Sequence, residues 1–286
     1  MKILLAGTPD LSIPTFEKII QNFEVVALIT QPDKPVGRKK IITPPPAYFL
    51  AKKYNIKIFQ PEKISNIYEQ LKQIDFDIFL TMAYGQIIPQ KILDLSKIGS
   101  FNIHASLLPK YRGASPIQYC LINGELETGI TLMEMIEKMD AGDILFQTKL
   151  KIEENDNFDS LLEKISLITS QNIVDWLLKI KQNDFKKIKQ NELEVTFAPK
   201  ITKDDEILKL DTIEKTLNKI RGLSSNPGAY LILNTNQEQY KNLNGKRVKI
   251  YKAQKLFLKN ALEIKCSDGI VYASKFQFEG KNKISI

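Results

Sequence analysis

His104 is the only histidine among 286 residues, so any imidazole chemistry here must pass through it. It lies in the run Phe101-Asn102-Ile103-His104-Ala105-Ser106-Leu107-Leu108-Pro109. Phe101–Ile103 reads as a strand, and alternate side chains of a strand share a face, so Asn102 and His104 point the same way. An amide and an imidazole side by side are suitable donors to an oxyanion. Both would stand at the carboxyl end of a central strand, where open α/β sheets place their ligands. A lone histidine is more often packed than catalytic, and the neighbouring amide weighs against that. A working imidazole needs a group to orient it. Candidates lie in Lys138-Met139-Asp140-Ala141-Gly142-Asp143. Gly142 permits a close backbone approach, Asp143 leads into a strand, and Asp140 can instead bind turn backbone. The residues alone leave both aspartates open, including a plain turn role for each.

Other chemistries lack their residues. Cys120 and Cys266 are far apart and form no C-x-x-C pair, which leaves too few ligands for a zinc site. The turn after the first strand, Ala6-Gly7-Thr8-Pro9-Asp10, is not a dinucleotide fingerprint. No phosphate-binding G-x-x-x-x-G-K-[ST] loop occurs either.

The elements that must hold His104 follow from periodicity. Strand-like runs at 2–6, 24–30, 57–59, 76–81 and 101–103 alternate with helical spacing at 13–21, 48–54 and 64–73. This alternation predicts a Rossmann-like, mostly parallel sheet with helices on both faces. Runs at 129–135 and 144–150 flank the Asp140-Ala141-Gly142 turn and predict an antiparallel extension, before a long helix over 160–180. Periodicity fades over 181–206. A helix over 212–221 and short strands at 229–233, 247–252, 261–265 and 270–274 follow, separated by Asn-Gly and Asp-Gly turns, as in a small OB-like β-barrel. The expected division is a catalytic domain over 1–189, a linker over 190–206 and a β-barrel domain over 207–286.

The charge is one-sided. Residues 207–286 hold 15 Lys and Arg against 6 Asp and Glu, a net of +9, while 1–206 hold 26 against 27. A basic module suggests a polyanionic partner, with Lys-rich composition as the plain alternative. Gln31–Ala47 (QPDKPVGRKKIITPPPA) is proline-rich, basic and aperiodic, as functional loops of this length often are. No apolar run reaches the roughly 18 residues of a membrane span, and the short apolar start reads as a buried strand, so a cytoplasmic protein without a membrane partner is expected.

Asn102 to Pro109, followed by Lys110-Tyr111-Arg112-Gly113-Ala114-Ser115-Pro116-Ile117, resembles the signature of the formyltransferases that use 10-formyltetrahydrofolate, and Ala141-Gly142-Asp143 resembles their second motif. Gln31 to Lys40, Arg221-Gly222-Leu223, Asn226 to Tyr230 and Gly245 to Tyr251 resemble the branch that acts on methionyl initiator tRNA. Ser224-Ser225 depart from the usual pattern there. The resemblance implies formyl transfer to the methionyl α-amine. That step needs no metal, consistent with the lack of a ligand cluster, and a monomer is expected. The resemblance implies Asn102 and His104 as oxyanion donors and Asp143 as the partner of His104. Gln86, Ile87, Ile88, Ser106, Leu107, Leu108 and Pro109 would line the folate. Arg38, Lys39 and Lys40 would grip the acceptor end, and Lys246, Arg247 and Lys249 of the basic module would meet phosphates. The rivals are a sugar N-formyltransferase and a catalytically silent RNA-binding protein.

Overall fold

The computed structural model describes every residue from Met1 to Ile286 except Arg38. Arg38, expected at the acceptor end of the RNA, thus lies outside the described residues. The chain divides into two compact units, and no single cut separates them. One comprises Met1–Ala114, Gly129–Leu150 and Glu163–Phe197; the other comprises Ser115–Thr128, Lys151–Leu162 and Ala198–Ile286. The segment expected as a linker is therefore shared: residues up to Phe197 fold with the first unit and later ones with the second.

In the first unit, β1 (Lys2–Gly7) leads through α1 (Ile13–Asn22) to β2 (Glu24–Ile29). A hairpin of β3 (Lys34–Val36) and β4 (Ile41–Thr43) precedes α2 (Pro46–Lys53) and β5 (Ile58–Phe59). Then come α3 (Tyr68–Lys72), β6 (Ile78–Met82), α4 (Gln90–Leu93) and β7 (Gly99–His104). The chain passes through α5 (Pro116–Ile122), which belongs to the second unit, before β8 (Glu127–Glu134), β9 (Ile144–Lys151) and α6 (Phe158–Lys181). The seven-stranded sheet runs β5-β2-β1-β6-β7-β8-β9. Its pairings are parallel from β5 to β7, and β8 lies antiparallel to β7.

Central strands covered on both faces need continuous apolar runs, and Ile3, Leu4, Leu5 and Ala6 are fully buried. Leu4 and Ala6 pack with Ala27, Ile29 and Phe79 in one cluster, so Ile3 and Leu5 serve the opposite face. Gly7 ends β1 because a Cβ there would lie 2.5 Å from the Phe16 ring and 2.8 Å from the Met82 carbonyl. The helix expected over 64–73 is a 3₁₀ turn at Ile64–Ile67 followed by the short α3. Ser65 and Asn66 compete with helical hydrogen bonding there. The proline-rich segment, read as an aperiodic loop, forms the β3–β4 hairpin with Lys34↔Thr43, Pro35↔Ile42 and Val36↔Ile41 in register. A two-stranded ribbon tolerates Pro35, whose missing N–H can face outward.

In the second unit, α7 (Ile213–Leu223) starts at Thr212, whose hydroxyl accepts from the Lys215 N–H at 3.3 Å. It is followed by β10 (Ala229–Ile232), β11 (Arg247–Gln254), β12 (Leu262–Cys266), β13 (Gly269–Phe278) and β14 (Lys283–Ser285). The small β domain is antiparallel, in the order β10-β11-β13-β12 with β14 also on β13. Leu208, Ile220, Leu223, Val248, Ile250, Val271 and Phe276 form its core. The register shifts around Lys252, where β11 bulges against β13.

Candidate active site

β7 delivers Asn102 and His104 to the carboxyl edge of the sheet, between β6 (Thr81↔Asn102) and β8 (His104↔Thr131). The Thr81 hydroxyl donates to Asn102 Oδ1 at 2.7 Å. With its oxygen engaged, Asn102 presents its NH₂ as the donor. His104 is 6% exposed, and its Nε2 lies 2.8 Å from the Tyr111 carbonyl. A carbonyl only accepts, so Nε2 carries a proton and Nδ1 is the ring atom left for chemistry.

Nδ1 faces Asp140, whose Oδ2 is 3.6 Å away and whose side chain is 10% exposed. The same Oδ2 accepts from the Gly113 N–H at 2.8 Å. The expected pairing of His104 with Asp143 is therefore corrected: the aspartate at the imidazole is Asp140. Asp143 is half-buried at the start of β9, and its carbonyl accepts from the Glu134 N–H at 2.9 Å. The reason is local. A residue entering a strand has its side-chain direction set by the pleat, whereas Asp140 sits one turn earlier with φ +53°, in the left-handed region. Gly142 lets that turn close, since a Cβ there would collide with the Glu134 carbonyl.

The loop after β7 is fastened along its length. The Ser106 hydroxyl donates to the Lys110 carbonyl at 2.7 Å, and the Thr131 hydroxyl donates to the Ser106 carbonyl at 2.6 Å. Gln147 Nε2 donates to the Leu108 carbonyl at 2.8 Å. Of the residues expected against folate, Ser106 and Leu108 are buried, while Leu107 and Pro109 are half-buried. The Gln86 amide holds a neighbouring loop, accepting from the Ile64 N–H at 2.8 Å and donating to the Pro61 carbonyl at 3.1 Å. Ile87 is 81% exposed and Ile88 belongs to the core. A cleft of about 690 Å³ lies elsewhere, lined by Thr8, Asp10, Pro44, Phe49 and Lys53 among others, beside the β3–β4 hairpin.

Sequence reading missed the residues that hold this loop from outside. Arg112 is 2% exposed, and its guanidinium donates to Gln190 Oε1 and to Glu192 Oε1 at 2.9 Å each. Gln190 and Glu192 lie in the segment expected as a linker.

The expected RNA contacts fall into two groups. Lys39 and Lys40 are exposed at the tip of the hairpin, as is Lys246 in the second unit. Arg247 lies over the Tyr230 ring at 5.2 Å and reaches Glu279 at 3.4 Å. Lys249 is committed inside its own unit: Nζ donates to the Pro227 carbonyl at 2.6 Å and meets Glu206 at 3.3 Å. In this arrangement its ammonium already has partners within the unit. Burial pushes the Cys120 thiol up to about 11, which suits a packed residue rather than a nucleophile. Among the described residues, no cluster of three or more His, Cys, Asp and Glu could hold a metal ion. Nor is any helix among the described residues long and apolar enough to cross a membrane.

Residues 3–177 match the formyl transferase family, and residues 200–286 match the formyl transferase C-terminal domain. The chain belongs to the formyl transferase family. Among curated relatives, the methionyl-tRNA formyltransferase of Mycoplasmopsis pulmonis is 50% identical, over 100% of this chain and 96% of that one. The methionyl-tRNA formyltransferase of Staphylococcus aureus is 44% identical over 84% of this chain and 78% of that one. Among solved structures, WlaRD, a sugar 3N-formyl transferase, aligns with a TM-score of 0.62 at 22% identity, covering 99% of each chain. The last likeness concerns the fold.

Proposed function

We propose that the protein transfers the formyl group of 10-formyltetrahydrofolate to the α-amine of methionine on initiator tRNA, in the cytoplasm and as a monomer. The observation that carries this reading is the 50% identity to a methionyl-tRNA formyltransferase along the whole chain, both units included. The surfaces agree with it. Lys39 and Lys40 stand exposed on the hairpin, and residues 207–286 carry a net charge of +9. A sugar amine would need neither feature.

The residues at the sheet edge have the chemistry for the step. Attack of the neutral amine on the formyl carbon makes a tetrahedral oxyanion. The Asn102 NH₂ and the His104 ring are its donors. Asp140, 3.6 Å from Nδ1, holds the imidazole and takes the amine proton, directly or through a water. The new C–N bond replaces the bond to the folate N10, which receives a proton as it leaves. Residues 106–109, which follow His104 directly in the chain, would line the folate.

The test incubates the purified protein and 10-formyltetrahydrofolate with methionyl initiator tRNA or, separately, with an amino-sugar nucleotide. Formylmethionyl-tRNA is expected, with no product from the sugar amine. Formylation of the sugar alone would transfer the assignment to that class. Tight RNA binding without turnover on either amine would favour a silent RNA-binding protein.

A further inference from the structure

The residues that orient His104 are themselves in conformations that a free chain would leave. Asp140 and Tyr111 have φ of +53° and +64°, in the region that L side chains seldom occupy. One supplies the carboxylate at Nδ1 and the other the carbonyl at Nε2. Something must hold both.

The segment after α6 holds them, from Ile188 to Phe197. At one end Ile188 bridges Ile144 at the start of β9, with N–H···O distances of 2.8 and 2.9 Å. At the other end the Thr196 hydroxyl accepts from the Tyr111 N–H at 2.9 Å, and the Thr196 carbonyl accepts from the Arg112 N–H at 2.9 Å. Between them Gln190 reaches into the Asp140 turn. Its Nε2 donates to the Asp140 carbonyl at 2.9 Å and to the Gly142 carbonyl at 2.7 Å. Its Oε1 accepts from Arg112 Nε at 3.0 Å and Nη2 at 2.9 Å. Every hydrogen-bonding site of the amide is engaged. Its orientation is forced, because a guanidinium offers only donors and carbonyls only accept. No other side chain of this length meets both demands. Glutamate would aim an oxygen at two carbonyl oxygens.

We infer that Gln190 is a positioning residue for the transfer: oriented by the buried Arg112, it fixes the left-handed Asp140 turn and thereby sets the Asp140 carboxylate against His104 Nδ1. The inference rests on the formyl-transfer reading for its kinetic consequence only. A small displacement of a reacting group costs up to about 10²-fold in rate. The carboxylate's place therefore matters far more to turnover than to binding.

The experiment compares Gln190→Glu and Gln190→Met with the wild-type protein. Gln190→Glu keeps an acceptor for Arg112 and removes both donors; Gln190→Met fills the space without either, and is read in the same way should the first fail to fold. In formylation of methionyl initiator tRNA, kcat is expected to fall about 10–100-fold, with KM for tRNA and folate close to wild type at a temperature where the variants are folded. A second readout needs no turnover. His104 is the only histidine, so its ring ¹⁵N resonances are assigned without ambiguity. They should shift in both variants toward those of Asp140→Asn. Wild-type kcat together with wild-type ring shifts would overturn the inference, as would a loss of kcat matched by an equal rise in KM. A wild-type protein that formylates no tRNA would instead overturn the functional reading, and the ring shifts would still decide the role of Gln190.

Discussion

The edge of the sheet around His104 and the tip of the β3–β4 hairpin make opposite uses of polar side chains. At the edge, Asn102, His104, Asp140, Arg112 and Gln190 hold one another or the backbone at hydrogen-bonding distance, and His104 and Arg112 are 6% and 2% exposed. At the tip, Lys39 and Lys40 stand exposed on a turn between two three-residue strands. Transfer of a proton or stabilisation of an oxyanion fails when a group moves by a fraction of a bond length. Attraction to phosphates needs charge in roughly the right place and tolerates motion. The difference predicts which substitutions act on rate and which on binding.

The largest effect should come from the aspartate at the imidazole. Asp140→Asn keeps the hydrogen-bonding shape and loses the charge and the proton acceptor, so kcat should fall by about 10²–10⁴-fold. Asp143→Asn should stay close to wild type in the same assay. The reverse ranking would restore Asp143 as the partner of His104 and break the geometric argument. Asn102→Ala comes next. Loss of one oxyanion donor costs about 10²–10³ in kcat, and folate affinity, measured by fluorescence or calorimetry, should be unchanged. Near-wild-type turnover in folded Asn102→Ala would remove the amide from the mechanism.

The hairpin should behave in the other way. Lys39→Ala with Lys40→Ala should raise KM for tRNA and leave kcat nearly constant. Two lost phosphate contacts should flatten the slope of log K against log salt by about 1.4–1.8. Lys249→Ala should leave that slope unchanged, because Pro227 and Glu206 already hold its ammonium. A salt titration of tRNA binding checks both slopes, and steady-state kinetics check KM and kcat. An unaltered slope in the hairpin variant would mean that its charge is surface composition and no more.

The same contrast explains what could be read in the sequence. The unbroken Ile3–Ala6 run and the alternation around it placed the parallel strands, since burial on both faces leaves a local signal. Asn102 and His104 were legible for the same reason, because a strand fixes which residues share a face. The hairpin was not, because Pro35 and the prolines after Thr43 hide its period. β14 is only three residues long and has too little pattern to detect. Asp140 and Asp143 cannot be told apart locally, because a left-handed φ in a non-glycine residue such as Asp140 leaves no periodic trace. Gln190 was beyond reach for another reason: its partners are 48, 50 and 78 residues away in the chain. A contact of that range shows only when the chain is folded.

The smallest expected effect lies at the rim of the His104 network, where its ordered interior meets solvent. Glu192 accepts from Arg112 at 2.9 Å and meets Lys138 at 3.3 Å, yet its side chain is 61% exposed. Arg112 first, and then Lys138, holds its carboxyl below the ordinary value of 4.5. A carboxyl depressed in the folded state adds stability that is complete above its unfolded value and is lost as pH falls through the folded one. Glu192→Gln should therefore melt slightly below wild type at neutral pH, and the gap should close as the pH drops below 4.5. Solvent screening keeps that gap small. Turnover should fall far less than in Gln190→Glu, because Arg112 keeps the Gln190 oxygen as its acceptor and the Asp140 turn keeps both amide donors. Melting curves across that pH range, with kcat measured on the same preparations, check both statements. A kcat loss as large as that of the Gln190 variants would extend the rigid region out to Glu192 and erase the boundary drawn here between the ordered interior and its exposed rim.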